Sequence, residues 1–176
     1  MAAALLEMVC NLTIGKPAYA EHDETMTSVR DRASSLRSDA LGLAQEDAEA
    51  FGAVIAAYKL PKETGDEIDQ RRREIQHALV AAAEVARSTA DVAMQILDLV
   101  ERIVPLGNIN VISDGAAAAG AARAAIQTSL LNIDANVASI SDSETRETYE
   151  RFAAGATERL ERADAIVAAV RARSAG

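Results

Sequence analysis

Asp47 is the residue whose placement most invites a chemical reading. It belongs to the series Leu36, Ala40, Leu43, Asp47, Phe51, Val54, Tyr58, in which every step is three or four residues. All seven therefore share one face of a helix, and a carboxylate stands where an apolar residue belongs. Burying it is costly without partners and tends to raise its pKa. The stripe predicts either a buried ion pair with an arginine of another helix or an acid/base group. Glu46 and Glu49 lie off the stripe, on the solvated side.

Two further clusters carry polar side chains in suggestive places. The stretch Gly107-Asn108-Ile109-Asn110-Val111-Ile112-Ser113-Asp114 ends in residues that can cap a following helix, and capping by Ser113 or Asp114 is the first expectation. Its two asparagines also offer amide donors and acceptors to a ligand. Ser129, Asn132 and Asn136 form a polar edge beside the apolar series Ile126, Leu130, Ile133, Val137, Ile140. Asparagine is a poor helix former, so a pair at i and i+4 points to hydrogen bonding across a groove, or to a network between helices. Thr13-Ile14-Gly15-Lys16 is not a nucleotide loop, because no strand precedes it. Arg71-Arg72-Arg73 reads as a solvated face or an anion contact. His22 and His77 have no nucleophile at triad spacing.

These residues must be carried by helices. No alternating pattern appears, and alanine, leucine, arginine and glutamate dominate. The breakers divide the chain into five helical segments: about 2–14, ended by Gly15-Lys16-Pro17; about 23–59, ended before Pro61; from about Thr64 to before Pro105; from the end of a short loop, Gly107 to Ser113, to about Ile140; and from Ser141 or Asp142 to about Arg173. Residues 173–176 are expected to fray. Residues 116–121 are alanine and glycine, a surface that admits close packing by another helix. Long antiparallel helices joined by short loops predict an all-α up-and-down bundle in one domain, residues 1–176, and apolar faces on several sides predict a dimer.

Composition narrows the function. The 176 residues hold 18 Lys+Arg against 27 Asp+Glu, a net charge of −9. That balance argues against nucleic acid or an anionic membrane as partner. Aromatics are 3 % and tryptophan is absent, which leaves no platform for stacking bases. One cysteine and two histidines make no His/Cys zinc site, and a lone Cys10 favours a reducing compartment. No segment reaches the length of a spanning helix, and the first residues lack the basic region of a signal peptide. A soluble cytoplasmic protein is expected.

In this order, the pieces Met8-Val9-Cys10-Asn11-Leu12-Thr13-Ile14-Gly15-Lys16, Asp47-Ala48-Glu49-Ala50-Phe51, Leu60-Pro61-Lys62 with Thr64, Arg71 and Gln76, residues 107–114, and Leu131-Asn132 with Asn136 resemble the cyclodeaminase/cyclohydrolase family of folate one-carbon enzymes. That family includes the cyclodeaminase domain of formiminotransferase-cyclodeaminase and stand-alone bacterial methenyltetrahydrofolate cyclohydrolases. The wording of residues 11–16 and 110–114 is closer to the stand-alone enzymes. Family members usually carry a Pro-Gly-Gly-Gly-Ser stretch ahead of the first helix, whereas this sequence opens inside that helix at Met1. A missing wall of the site, and with it an inactive helical dimer, is the alternative this departure raises. Val85-Ala86, where relatives often have Val-Pro, lets the third helix run straighter.

The resemblance implies a tetrahydrofolate derivative as substrate and no metal or redox cofactor. Hydrolysis of 5,10-methenyltetrahydrofolate to the 10-formyl compound ranks first, and ring closure of the 5-formimino compound with loss of ammonia second. It implies Asp47 and Asp114 as an acid/base pair, with Asn108, Asn132 and Asn136 orienting water or the pterin amide edge. Lys16, Lys62 and Arg71 are then candidates for the substrate's glutamate carboxylates.

Overall fold

The computed structural model describes residues 1–174. Five helices account for nearly all of them: α1 (Ala2–Asn11), α2 (Asp23–Tyr58), α3 (Gly65–Ile103), α4 (Ile112–Val137) and α5 (Ser143–Ser174). Two 3₁₀ turns, Pro17–His22 and Ile109–Val111, precede α2 and α4. No strand occurs among the described residues. The all-α expectation and its five segments hold, with ends displaced by a few residues.

Each helix forms for reasons visible in its own residues. In α1, Ala2, Ala3, Leu6, Val9 and Cys10 are buried on one face. The helix stops because Gly15 takes a φ of +74°, a conformation glycine adopts without strain, and its N–H donates to Asp23 Oδ1 at 3.1 Å. In the first half of α2, Met26, Val29, Ala33 and Leu36 recur at steps of three and four and are buried. α3 opens with a capping box: Thr64 Oγ1 accepts from Glu67 N, and the Glu67 carboxylate accepts from Thr64 N at 2.9 Å. It then continues without interruption through Val85-Ala86. In α4 the predicted stripe is as expected, with Ile126, Ile133 and Val137 buried and Leu130 half-buried; Ile140, also buried, lies just past the end of the helix. Tyr149, Ala156, Ala163 and Val170 of α5 are buried at seven-residue spacing.

The alanine-rich part of α4 does what small residues allow. Ala118, Ala119 and Ala122 are fully buried, and α1 lies against this surface. A Cβ on Gly115 would approach Val104 Cγ2 to 3.2 Å, and one on Gly107 would approach the Ile103 carbonyl to 3.3 Å, so both glycines are needed for close packing. Arg173 is not frayed: its guanidinium donates to the carbonyls of Val104 and Gly107. Ala175 and Gly176 lie outside the described residues.

Two expectations are corrected. Neither Ser113 nor Asp114 caps α4: the helix starts earlier, with Val111 at the cap and no side-chain hydrogen bond there. Asn108 instead caps the 3₁₀ turn, its side chain accepting from Asn110 N at 3.1 Å. The second half of the α2 stripe is also not buried in this chain. Leu36 is buried, Leu43 and Val54 are half-buried, and Ala40, Asp47, Phe51 and Tyr58 are exposed. The reason is geometric. α1 shares a core with Met26, Val29, Ala33 and Leu36 of the first half of α2, and among the described residues the face carrying Asp47 and Phe51 is left uncovered.

Candidate active site

α2 and α4 both pack on α3 and make little contact with each other, so a groove runs between them with α3 as its floor. α1 packs against both α2 and α4 and fills one half of this groove. The other half is open and holds two confluent cavities that share Ala40, Leu43, Thr89 and Ala125. One, of about 300 Å³, is apolar and adjoins the start of α1. The other, of about 390 Å³, is lined by Asp47 from α2, Thr89 from α3, and Thr128, Ser129 and Asn132 from α4.

The fold thus brings Asp47 of α2 and Asn132 of α4 to walls of one cavity, with Ser129 one turn before Asn132. Asp47 makes no ion pair and no hydrogen bond, so the reading of it as a buried salt-bridge partner is not realised, and neither is its expected burial. It is a free carboxylate on a cavity that it shares with Thr128, Ser129 and Asn132. Asn132 leaves its amide uncommitted, while the Asn136 amide donates back to the Asn132 carbonyl at 2.8 Å. Asn136 is accordingly a helix-surface group one turn further on. Thr89 and Thr128 were not foreseen. Thr89 donates to the Val85 carbonyl at 2.9 Å, which fixes its rotamer and turns an acceptor toward the cavity. Thr128 stands one turn before Asn132, and that i, i+4 pairing was the available signal.

The other predicted residues lie elsewhere. Asn108 is buried and its polar atoms are spent on the fold. Its N–H donates to Thr13 Oγ1 at 3.1 Å, its side-chain amide donates to the Leu12 carbonyl at 2.9 Å, and its Oδ1 accepts from Asn110. Buried Thr13 in turn donates to the Val9 carbonyl, and Tyr19 Oη accepts from Ile109 N. This knot ties the end of α1 to the start of α4, which corrects the expectation that Asn108 orients water or substrate. Asn108→Ala is expected to cost about 1–3 kcal/mol of stability. Thermal unfolding should reveal the loss, with turnover per folded molecule unchanged.

Asp114, in the first turn of α4, is half-buried and makes no hydrogen bond. Eighteen residues (132 − 114) separate it from Asn132, five full turns, so the two share a face of α4 about 27 Å apart. Asp47 and Asp114 therefore do not form an acid/base pair within one chain. Lys16 is exposed at the Asp114 end of the bundle, beside the 3₁₀ turn that starts at Pro17. Lys62 is exposed in the loop between α2 and α3, at the opposite end. Arg71 donates to the Tyr58 carbonyl at 3.1 Å and lies over the Tyr58 ring at 5.7 Å. It lines a separate cavity of about 290 Å³ that shares no residue with the groove cavities. Among the described residues, no group of three or more His, Cys, Asp or Glu is placed to hold a metal ion, and no helix is long and apolar enough to cross a membrane.

This fold and groove define a class. The formiminotransferase-cyclodeaminase family model matches residues 1–154, and the chain belongs to that family. A methenyltetrahydrofolate cyclohydrolase of Methylorubrum extorquens is 40 % identical over 142 residues, 81 % of this chain and 68 % of that protein. The formimidoyltransferase-cyclodeaminase of Mus musculus is 28 % identical over 174 residues, and the match spans 98 % of this chain but 32 % of the mouse protein. The crystal structure of a formiminotetrahydrofolate cyclodeaminase from Thermotoga maritima superposes with a TM-score of 0.84 at 28 % identity, covering 97 % of this chain and 83 % of that one.

Proposed function

We propose that this chain hydrolyses 5,10-methenyltetrahydrofolate to 10-formyltetrahydrofolate in the groove between α2 and α4. The observation that carries the proposal is the unpaired Asp47 carboxylate lining one cavity with Asn132, Thr128 and Ser129, in a chain 40 % identical to a named cyclohydrolase. The substrate's cation is delocalised over N5, the bridging carbon and N10. An unneutralised carboxylate beside it stabilises that charge. Water attacks the bridging carbon and gives a proton to Asp47. The carbon–N5 bond then breaks, N5 takes up a proton, and the formyl group stays on N10, with one proton released overall. In this reading Asn132, Thr128 and Ser129 hold the water and the pterin's polar edge. The reaction drawn this way needs no resident metal or redox cofactor.

A second reading is ammonia loss with ring closure of 5-formiminotetrahydrofolate, favoured by the cyclodeaminase names of the mouse and Thermotoga maritima relatives. There Asp47, once protonated, supplies the proton to the leaving nitrogen. Purified protein is tested by following loss of the near-ultraviolet absorbance of the methenyl compound, and separately ammonia release from the formimino compound. Loss of absorbance at the uncatalysed rate overturns the cyclohydrolase assignment.

The functional unit we propose is a homodimer. Beyond the start of α1, α2 exposes Leu41 (68 %), Phe51 (65 %), Ile55 and Tyr58 beside the groove, and α4 exposes Leu131 (63 %). A second copy related by a two-fold axis covers this face without leaving an open edge. Asp114 and Asn132 share one face of α4, so an antiparallel partner carries its own Asp114 and Lys16 toward the Asp47 end of this groove. That arrangement reunites the two carboxylates that a single chain keeps apart. Phe51→Glu is expected to convert the dimer to monomer at micromolar concentration in sedimentation, because it places a charge at the centre of the apolar contact.

A further inference from the structure

The groove has a cation that none of the assignments above uses. Arg37 of α2 lines the apolar cavity next to Ala40, Leu41 and Ala122. Its Nε donates to Glu7 Oε1 of α1 at 2.9 Å, while its two terminal nitrogens make no hydrogen bond. The side chain is about half exposed, at 48 %. The guanidinium is thus held from one edge and offers its other edge at the mouth of the cavity, the geometry that accepts a carboxylate in a bidentate fork.

We propose that Arg37 binds the glutamyl carboxylates of the folate substrate and sets the direction in which that substrate lies. The assignment rests on the folate reading above. Ten residues (47 − 37) separate Arg37 from Asp47, about 15 Å along α2. A reduced folate with its bridging carbon at Asp47 projects a benzoyl ring, an amide and then carboxylates, a comparable length once the two side chains reach inward. The apolar cavity between them, walled by Leu41, Val92, Ala122 and Ala125, suits the benzoyl ring. The cavity lined by Asp47, Thr128, Ser129 and Asn132 offers the pterin its polar partners. Within one chain the competing cations do not lie on this path: Arg71 lines a cavity that is not confluent with the groove, and Lys16 and Lys62 stand at the two ends of the bundle. In the proposed dimer the partner's Lys16 comes to the Asp47 end, away from Arg37.

The test compares two ligands on the whole chain. 5-Formyltetrahydrofolate and 5-formyltetrahydropteroate, which lacks the glutamyl group, are titrated into wild type, Arg37→Gln and Glu7→Gln, and KM is measured for the corresponding methenyl compounds. Arg37→Gln is expected to weaken binding of the glutamyl ligand about tenfold or more and to raise KM with kcat kept, since the contact is remote from the reacting carbon. The pteroate compound should bind wild type and Arg37→Gln alike. Glu7→Gln breaks the same ion pair but keeps the guanidinium, so it should retain the preference for the glutamyl ligand. Equal losses for both ligands, or the same behaviour in Glu7→Gln as in Arg37→Gln, overturn the assignment, because Arg37 then only ties α1 to α2. Discrimination in binding without turnover supports Arg37 while overturning the cyclohydrolase reading. Wild type that binds neither ligand overturns both.

Discussion

Asp47→Asn is expected to lower kcat for methenyl hydrolysis by about 10²–10⁴-fold, the range a positioned general base contributes. The amide keeps the size and shape of the carboxylate. It cannot accept the water proton, and it removes the negative charge beside the substrate cation. Asp47 is exposed in this chain and has no partner, so the substitution leaves no group unsatisfied and should not lower the melting temperature. Steady-state kinetics and thermal unfolding on the same preparation read both effects. Retained turnover removes Asp47 from the mechanism. A fall in melting temperature that tracks the loss of activity shows a structural role instead.

The second large effect comes from mixing inactive chains. If each groove takes Asp47 from one copy and Asp114 from its partner, Asp47→Asn and Asp114→Asn dimers are each expected to lose activity. Random exchange makes half of the dimers mixed, and each mixed dimer keeps one intact groove, so about a quarter of wild-type activity should return in a two-fold assembly. Subunits are unfolded and refolded together to ensure exchange, and specific activity is compared with each variant refolded alone. No recovery, with mixed dimers demonstrated by a tag on one variant, ends the shared-groove arrangement. Full activity of Asp114→Asn alone reduces Asp114 to a first-turn acid that favours the α4 dipole, a contribution of about 0.3–1 kcal/mol.

Local chemistry made much of this protein readable before any coordinates. The helix class and the five segments follow from the alanine-rich composition and from a few breakers, because helix formation and termination are decided within one or two turns. Thr64 and Glu67 announce the start of α3 and Gly15 the end of α1, each through contacts between near neighbours in sequence, and the Ile126–Val137 spacing announces the buried face of α4. The family resemblance was legible for the same reason: its motifs are short and local. Asp47 was recognisable as a polar residue on an apolar face, and Asn132 as part of a polar edge beside one.

Burial and partnership were not local, and there the sequence misled. Periodicity placed Asp47, Phe51 and Tyr58 on an inward face, but whether a helix face is covered depends on where another helix begins, and α1 shares its core with the first half of α2. Asn108 had the look of a ligand group until Thr13 and Leu12, nearly a hundred residues away in the chain, were found to occupy its amide and N–H. Asp47 and Asp114 seemed a pair because each sits in a family motif, yet motif membership carries no distance, and five turns of α4 set them apart. Arg37 drew no notice as one charge on a polar stretch; only the convergence of α1, α2, α3 and α4 shows it at the mouth of a cavity. The sequence by itself determined the helices and the residues able to act. The tertiary structure decided which of them meet, because pairing across helices is set by packing over long sequence separations that no local pattern encodes.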